Sequence, residues 1–340
     1  MVSTVLALES SCDESAIAIW DRNEGLVYEQ VLSQIALHST FGGVVPGIAI
    51  REHLDGFPKL LEALKSNFDI NRIDQIAVTV GPGLMGCLGI GLAYAQALKF
   101  FLKKPLKGLN HLRGHALSPF MHLWDAKKGI AWEKLCPHLG LLISGGNTLL
   151  FLLNHHEGHL SFEILAQTQD DAAGEALDKG ARLLGFPYPG GPFIEKTALT
   201  GDASIYNFPK AFPNEWKFSF SGLKTSLRYY LEKQTPTWIE PNKASICAAY
   251  QSAVVAALTK KIKMAIQRYP IRSLGLSGGV SQNDYLRQCC ETICKQKNLP
   301  LLLAQKKHCG DNAAMMAFSS LWLQTNSLKV QPNLTLDSDD

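Results

Sequence analysis

The sequence predicts a duplicated α/β fold, two lobes around a nucleotide cleft, and three segments carry that expectation. Residues 5–8 read as a buried strand, 9–15 as a polar turn and 16–20 as the returning strand. The same unit recurs with strands at 139–143 and 149–153 around Ser144-Gly145-Gly146-Asn147-Thr148. A third segment runs from the strand-like 273–276 through Ser277-Gly278-Gly279-Val280-Ser281-Gln282-Asn283 into a helix. One polar turn per lobe can hold a ligand from both sides. The chain has 340 residues, 46% hydrophobic and 19% charged, enough to bury a large core in two domains and too apolar for disorder.

The other elements follow from punctuation and period. Helices are expected over 48–64 and 84–102 behind Gly/Pro breaks, and over 244–268, where Ile246, Tyr250, Val254, Leu258 and Ile262 recur at helical spacing. The stretch 103–137 is mixed and is expected to cross between lobes. The first lobe is expected over 1–135, with a helix near 311–326 packing back on it, and the second over 136–307. Residues 327–340 read as a frayed polar tail. The apolar run 85–102 approaches the length of a membrane span, but Gly86, Gly89, Gly91, Gln96 and Lys99 mark a buried helix instead, so no membrane is expected. The net charge of +3 neither requires nor excludes nucleic acid. Eight cysteines without a C-x-x-C pair, behind a start with no basic n-region, suggest reduced thiols and a cytoplasmic protein.

Several clusters could carry chemistry. Gly81-Pro82-Gly83-Leu84-Met85-Gly86 fits G-x-G-x-x-G after a strand, yet Pro82 stiffens it and no acid follows about 20 residues on to hold a ribose. A tight, closely packed turn is the better reading. His111 and His115 stand at i and i+4, so on a helix both imidazoles share one face and can chelate one ion. Two unrelated histidines would give the same spacing. A zincin helix needs Glu after its first His, and Leu112 occupies that place. Asp311 is a candidate third ligand, or equally a helix cap. Glu175 and Asp178 lie three apart in the acidic 170–179 segment and can face one ligand or simply start a solvated helix. Pro189-Gly190-Gly191-Pro192 allows close backbone approach or is a plain turn. The segment 216–225 interleaves aromatic and basic residues, which suits a nucleic-acid contact less well than ordinary half-buried aromatics.

Taken in order, these segments resemble the tRNA N6-adenosine threonylcarbamoyltransferase family, of bacterial type, within the actin-like/hexokinase-like ATPase superfold. The matching stretches are Leu8-Glu9-Ser10-Ser11-Cys12-Asp13-Glu14-Ser15, Gly42-Gly43-Val44-Val45-Pro46, Gly81-Pro82-Gly83-Leu84, Asn110-His111 to His115, and Ser144 to Thr148. They continue with 170–179, Tyr188-Pro189-Gly190-Gly191-Pro192, 218–225, Gly278-Gly279-Val280 with Asn283, and Cys309-Gly310-Asp311-Asn312. The resemblance implies one divalent ion per subunit, iron(II) before zinc, held by His111, His115 and Asp311. It implies nucleotide contacts from Ser144, Gly145, Gly146, Asn147, Thr148, Asp178, Gly191 and Asn283. It implies transfer of threonylcarbamoyl from threonylcarbamoyl-AMP to N6 of the adenosine beside the anticodon, in tRNAs reading codons that begin with A. Asp13, Glu14 and Glu175 are candidate bases for that step, and the sequence does not choose among them. An inert paralogue and a small P-loop ATPase are the implied protein partners. Four residues depart from the pattern: Gly47 and Arg113 where Glu is usual, Asn147 where bacterial members carry His, and Ala313 where Gly is frequent. A metallopeptidase and an inert nucleotide-binding scaffold of the same superfold are the alternatives.

Overall fold

The computed structural model describes residues 2–209, 211–323 and 327–338. The chain divides into two compact units: unit 1 holds the described residues of 1–134, 155–162 and 304–340, and unit 2 those of 135–154 and 163–303. The expected division at 135/136 did not foresee that 155–162 and 304–307 group with unit 1.

Unit 1 is built on β1 (Thr4–Glu9), β2 (Glu14–Asp21), β3 (Gly25–Ser33), β4 (Gln75–Gly81) and β5 (Leu106–Asn110), in the order β3-β2-β1-β4-β5. β1, β2 and β3 pair antiparallel, whereas β4 and β5 run parallel to β1. Side chains alternate across the strands, and both faces are used. Leu6, Leu8, Ile17, Ile19, Ile76 and Val78 point into one core with Phe57, Leu60 and Ala95. The helices of this unit are α1 (Ile35–Ser39), α2 (Pro46–Asn67), α3 (Met85–Leu102), α4 (His111–Leu117) and, at its edge, α5 (Trp132–Leu135). By the same alternation Ala7 and Glu9 of β1 and Ala77 and Thr79 of β4 fall on the opposite face from the core residues.

The expectation of a buried helix at 85–102 is corrected. Only Cys87, Leu88, Gly91, Leu92 and Ala95 of α3 are buried, while Met85, Phe100 and Phe101 are 68%, 80% and 78% exposed. The run is apolar on its outer face as well as its inner one, so composition alone could not reveal that it covers the sheet with one face only. The glycine-rich turn before α3 is indeed close packing. A Cβ at Gly83 would meet the Ser11 carbonyl at 2.5 Å, and one at Gly86 would meet Ile50 at 2.3 Å.

Unit 2 carries β6 (His138–Ile143), β7 (Thr148–His156), β8 (His159–Thr168), β9 (Lys217–Phe218), β10 (Ser273–Ser277) and β11 (Leu301–Leu303), ordered β11-β10-β6-β7-β8-β9. Its helices are α6 (Ala173–Leu183), α7 (Gly191–Ala198), α8 (Ser221–Glu232), α9 (Pro236–Arg268) and α10 (Asp284–Lys297). The helical rhythm Ile246, Tyr250, Val254, Leu258, Ile262 forms the buried stripe of α9, packed with Leu139, Leu141, Leu274 and Leu276 of the sheet. Phe218 and Phe220 are buried in the same core, so the aromatics of the 216–225 segment are largely structural. Asp170 fixes that segment by accepting from the Phe220 amide (2.8 Å) and the Ser221 hydroxyl (2.7 Å).

His138 begins β6 fully buried, with Nδ1 2.7 Å from the Ser273 hydroxyl. Burial pushes its pKa down to about 3. The unfolded chain takes up a proton near pH 6.5 and the folded one does not, so this contribution to stability is intact above pH 6.5. It is lost as the pH falls from 6.5 towards 3, by about 2 kcal/mol at pH 5 and about 4 kcal/mol at pH 3. Urea unfolding across that range should show this slope, and a His138→Asn variant, although less stable at pH 7, should show a flatter one. An equal slope in the variant would assign the loss to other groups.

The chain then re-enters unit 1 and closes with α11 (Ala313–Ser319), every residue of which is buried. The helix expected near 311–326 is therefore shorter; residues 320–322 turn, and 324–326 lie outside the described residues. Phe318 of α11 packs on Trp20 at 5.0 Å, beside Trp124 and Trp322. The expectation of a frayed tail is also corrected for 327–338. The Gln331 amide donates to the Val80 carbonyl (2.7 Å), the Gly83 amide to the Pro332 carbonyl (3.2 Å), and Leu336 is fully buried. These attachments are made by main-chain groups, which a reading of side-chain polarity does not register. Asp339 and Asp340 lie outside the described residues.

Candidate functional site

Unit 1 gathers the two histidines and the distant aspartate. Asn110 ends β5 and caps α4, its Oδ1 accepting from the Leu112 amide at 2.9 Å and the Arg113 amide at 3.4 Å. The helix therefore starts at His111 and brings His115 above it one turn later, with ring centroids 4.7 Å apart. Asp311 stands just before α11. Its alternative reading as a helix cap is excluded, because Asn312 takes that role by accepting from the Met315 amide at 2.8 Å. The Asp311 carboxylate turns to the histidines instead: Oδ1 lies 3.0 Å from His115 Nε2 and 3.5 Å from His111 Nε2. One ligand atom from each of the three falls within 4.8 Å of the others.

Electrostatics suit a cation there. Burial alone would raise the Asp311 carboxyl, but the charges and hydrogen bonds of His111 and His115 outweigh it and hold it well below the usual carboxylate range. Burial likewise opposes protonation of His111, yet Glu9 and Asp311 outweigh it and lift its pKa. Two imidazoles and a carboxylate form a donor set appropriate to iron(II) or zinc with coordination positions left open.

The catalytic candidates separate. Asp13 and Glu14 belong to the same unit as the triad, Asp13 in the turn before β2 and Glu14 at the first position of β2. Burial raises the Glu14 pKa to about 10, with the charges of Asp311 and Asp13 adding to it. Glu175 lies in unit 2 on α6, where Lys179 pairs with it at 2.8 Å and with Asp171 at 2.7 Å.

The nucleotide candidates all lie in unit 2. Ser144 closes its turn on Asn147, donating its amide to the Asn147 carbonyl (2.8 Å) and accepting from the Asn147 amide on Oγ (3.0 Å). Gly145 and Gly146 are exposed, and a Cβ at either would meet nothing within 4 Å. Thr148 is buried and accepts from the Ala173 amide at 2.9 Å, pinning the start of α6 to the turn. Gly278, at φ +83°, packs against the Ile143 carbonyl, which sets the second Gly-Gly turn beside the first. Asp178 accepts from the Gly190 and Gly191 amides at 2.7 and 3.1 Å. Asn283 caps α10 through the Leu286 amide (2.9 Å) and donates to Gln251 Oε1 (2.8 Å). The side chains of Thr148, Asp178 and Asn283 therefore shape this region through protein hydrogen bonds, while Gly145, Gly146 and Gly279 leave backbone open. A cleft of about 410 Å³ in this unit is lined by Pro192, Glu195, Gln251, Asp284 and Tyr285 among others, so it takes in the chain neighbours of Gly191 and Asn283.

Sequence reasoning passed over Glu9, which is fully buried with Oε2 3.1 Å from His111 Nδ1. An acid closing the apolar run 5–8 was the signal available.

The sequence profile of the family described as tRNA N6-adenosine threonylcarbamoyltransferase matches residues 25–318. The chain belongs to that family. A tRNA N6-adenosine threonylcarbamoyltransferase of Moorella thermoacetica is 42% identical over 324 residues, 94% of this chain and 92% of its own length. One from Thermosipho africanus is 38% identical over 98% of this chain and 99% of its own length. Two more distant solved structures share the fold, that of actin-like/hexokinase-like ATPases. T. kodakarensis HypF has a TM-score of 0.62 at 14% identity, over 94% of this chain and 47% of its own. The Acidaminococcus fermentans (R)-2-hydroxyglutaryl-CoA dehydratase component A has a TM-score of 0.52 at 13% identity, over 93% and 96%.

Against the threonylcarbamoyltransferase pattern, the Arg113 departure has a structural use. Its guanidinium donates to the Leu336 carbonyl (2.9 Å) and the Ser338 carbonyl (2.6 Å), tying the C-terminal segment to α4. Asn147 serves its turn through main-chain atoms, and Ala313 is buried at the first position of α11. Nothing in the structure explains Gly47.

Proposed function

We propose that this chain transfers the threonylcarbamoyl group of threonylcarbamoyl-AMP to N6 of the adenosine beside the anticodon in tRNAs reading codons that begin with A, at a metal centre formed by His111, His115 and Asp311. Family membership supports the transfer. The observation that supports the metal centre is the convergence of the three ligand atoms within 4.8 Å, from positions 196 residues apart.

The acceptor amine is a weak nucleophile because its lone pair is delocalised into the purine. An activated mixed anhydride is therefore required: N6 attacks the carbamoyl carbon, the bond from that carbon to the AMP phosphate oxygen breaks, AMP departs as an anion, and N6 loses one proton. The chain's task is mainly positioning and polarisation. In this reading the open amides at Gly145, Gly146 and Gly279 of unit 2 bind the phosphate and ribose. His111, His115 and Asp311 would hold iron(II) or zinc, which would supply Lewis acidity towards the threonyl part of the donor. Asp13 and Glu14, in the same unit as the metal ligands, are the candidates to receive the N6 proton, since Glu175 is paired with Lys179.

We assign the remaining partners to the same reading. The exposed apolar residues Leu54 of α2 and Met85, Phe100 and Phe101 of α3 suit a protein partner such as an inert paralogue, with a small P-loop ATPase completing the assembly. The protein is read as cytoplasmic. A metallopeptidase is disfavoured because the position after His111 carries the buried, apolar Leu112 rather than a base.

The glycine turns give a test of the nucleotide role. Gly279→Ala and Gly145→Ala meet open space in the chain, so each should leave unfolding free energy within about 0.5 kcal/mol of wild type. Each should weaken binding of a non-hydrolysable donor analogue by about tenfold, roughly 1.4 kcal/mol. Isothermal titration decides: unchanged affinity in both variants would remove these turns from the donor site.

A further inference from the structure

We propose that Glu9 is a positioning residue for the metal centre: it locks His111 with the proton on Nδ1, so that Nε2 is the atom offered to the ion. The inference rests on the metal reading above and deepens it.

The strand period places Glu9 there. Leu6 and Leu8 of β1 face the core, so Glu9 faces the other way, towards α4. Thr79 of the neighbouring strand lies on the same side and donates its hydroxyl to Glu9 Oε2. The Ser11 amide donates to Glu9 Oε1 at 2.6 Å. Held at both oxygens and fully buried, the carboxylate has little freedom to turn away from His111 Nδ1, 3.1 Å from Oε2.

A carboxylate can only accept. In the metal-free chain each ring nitrogen of His111 faces a carboxylate, Nδ1 that of Glu9 and Nε2 that of Asp311 at 3.5 Å; when an ion takes the place of the Nε2 hydrogen the neutral ring keeps one N–H, and the contact with Glu9 assigns it to Nδ1. Ser11 Oγ, 3.2 Å from the same Nδ1, supports this side of the ring. The buried negative charge behind the ring also makes Nε2 a stronger donor. His115 is different: its Nδ1 is buried without a hydrogen-bond partner among the described residues. The ligand pair is thus asymmetric: both Nε2 atoms face Asp311, but an acid fixes the ring of His111 from behind and none of the described residues does so for His115.

The test uses the full-length chain and zinc. In the zinc-loaded wild type, ¹⁵N NMR of labelled histidines should show His111 protonated on Nδ1, with the Nε2 resonance moving on metal addition. Chelator competition should find Glu9→Gln, whose amide oxygen still accepts but carries no charge, about tenfold weaker for zinc, and Glu9→Ala about 100-fold weaker. Circular dichroism of the metal-free variants controls for folding; if neither variant folds, the wild-type NMR assignment decides alone. Ligation through His111 Nδ1, or wild-type affinity in a folded Glu9→Ala, would overturn the proposal while leaving the metal centre standing. A wild type that takes up no zinc would remove the metal reading and this inference together.

Discussion

Asp311→Asn and His115→Ala should each lose tight divalent-metal binding by at least about 100-fold, some 2.7 kcal/mol, and should lose threonylcarbamoyl transfer with it. Groups that only support a metal ligand are commonly worth 10–100-fold in affinity, and these two residues are proposed as ligands themselves. The effect of Asp311→Asn is the more informative. The side chain keeps its size and its place before α11, because Asn312 and not Asp311 caps that helix. What goes is the one negative charge facing both Nε2 atoms, at 3.0 and 3.5 Å. Metal content by mass spectrometry after dialysis against a buffered zinc or iron(II) solution reads the result directly. The metal-free variant should also lose some stability, because Asp311 pairs with both histidines there, so circular dichroism must first show it folded; a variant that stays folded and binds metal as the wild type does would point to a structural aspartate instead.

Gly278→Ala should destabilise the protein by about 3–5 kcal/mol, a large share of the 5–15 kcal/mol typical of a folded domain. Gly278 sits at φ +83°, ψ 162°, a region reserved almost entirely for glycine, and a side chain there costs of order 1–3 kcal/mol by itself. A Cβ would also stand 2.3 Å from the Ile143 carbonyl oxygen and 3.0 Å from the Ile143 amide, so the backbone of β6 or of the turn must move. Its neighbour Gly279 meets no such obstacle. The pair therefore separates two roles of adjacent glycines: Gly278 holds the two turns together, and Gly279 keeps backbone clear for a ligand. Comparable urea midpoints for Gly278→Ala and Gly279→Ala would contradict this division.

Much of this was legible in the sequence because it is carried by side-chain chemistry at fixed spacing. The strand–turn–strand units, the apolar stripe of α9 and the i, i+4 histidines all follow from period. Asp311 was selected by its place in the family pattern, since local evidence left it equally a cap; the side chain of Asn312 settled that question only in three dimensions. Other features were hidden for physical reasons. The C-terminal segment is held by carbonyls and amides at Val80, Gly83, Gln331 and Pro332, so its polar side chains suggested fraying. Thr148 and Asn283 also anchor α6 and cap α10, a structural role that shows only once the partner amides are seen. The 85–102 run read as buried because its outward face is nearly as apolar as its inward one. Glu9 was overlooked because a lone acid after four apolar residues shows its purpose only when Thr79 and His111 are seen around it.

The central claim is that transfer to tRNA occurs at the His111/His115/Asp311 ion. Its most direct test starts from protein stripped of metal, with the candidate partner proteins supplied. Unmodified tRNA and threonylcarbamoyl-AMP are added, and nucleosides are analysed by mass spectrometry before and after iron(II) or zinc is restored. N6-threonylcarbamoyladenosine is expected only from the metal-restored wild type, and none from Asp311→Asn under the same conditions. Equal product from stripped and restored protein, or from Asp311→Asn, would contradict it.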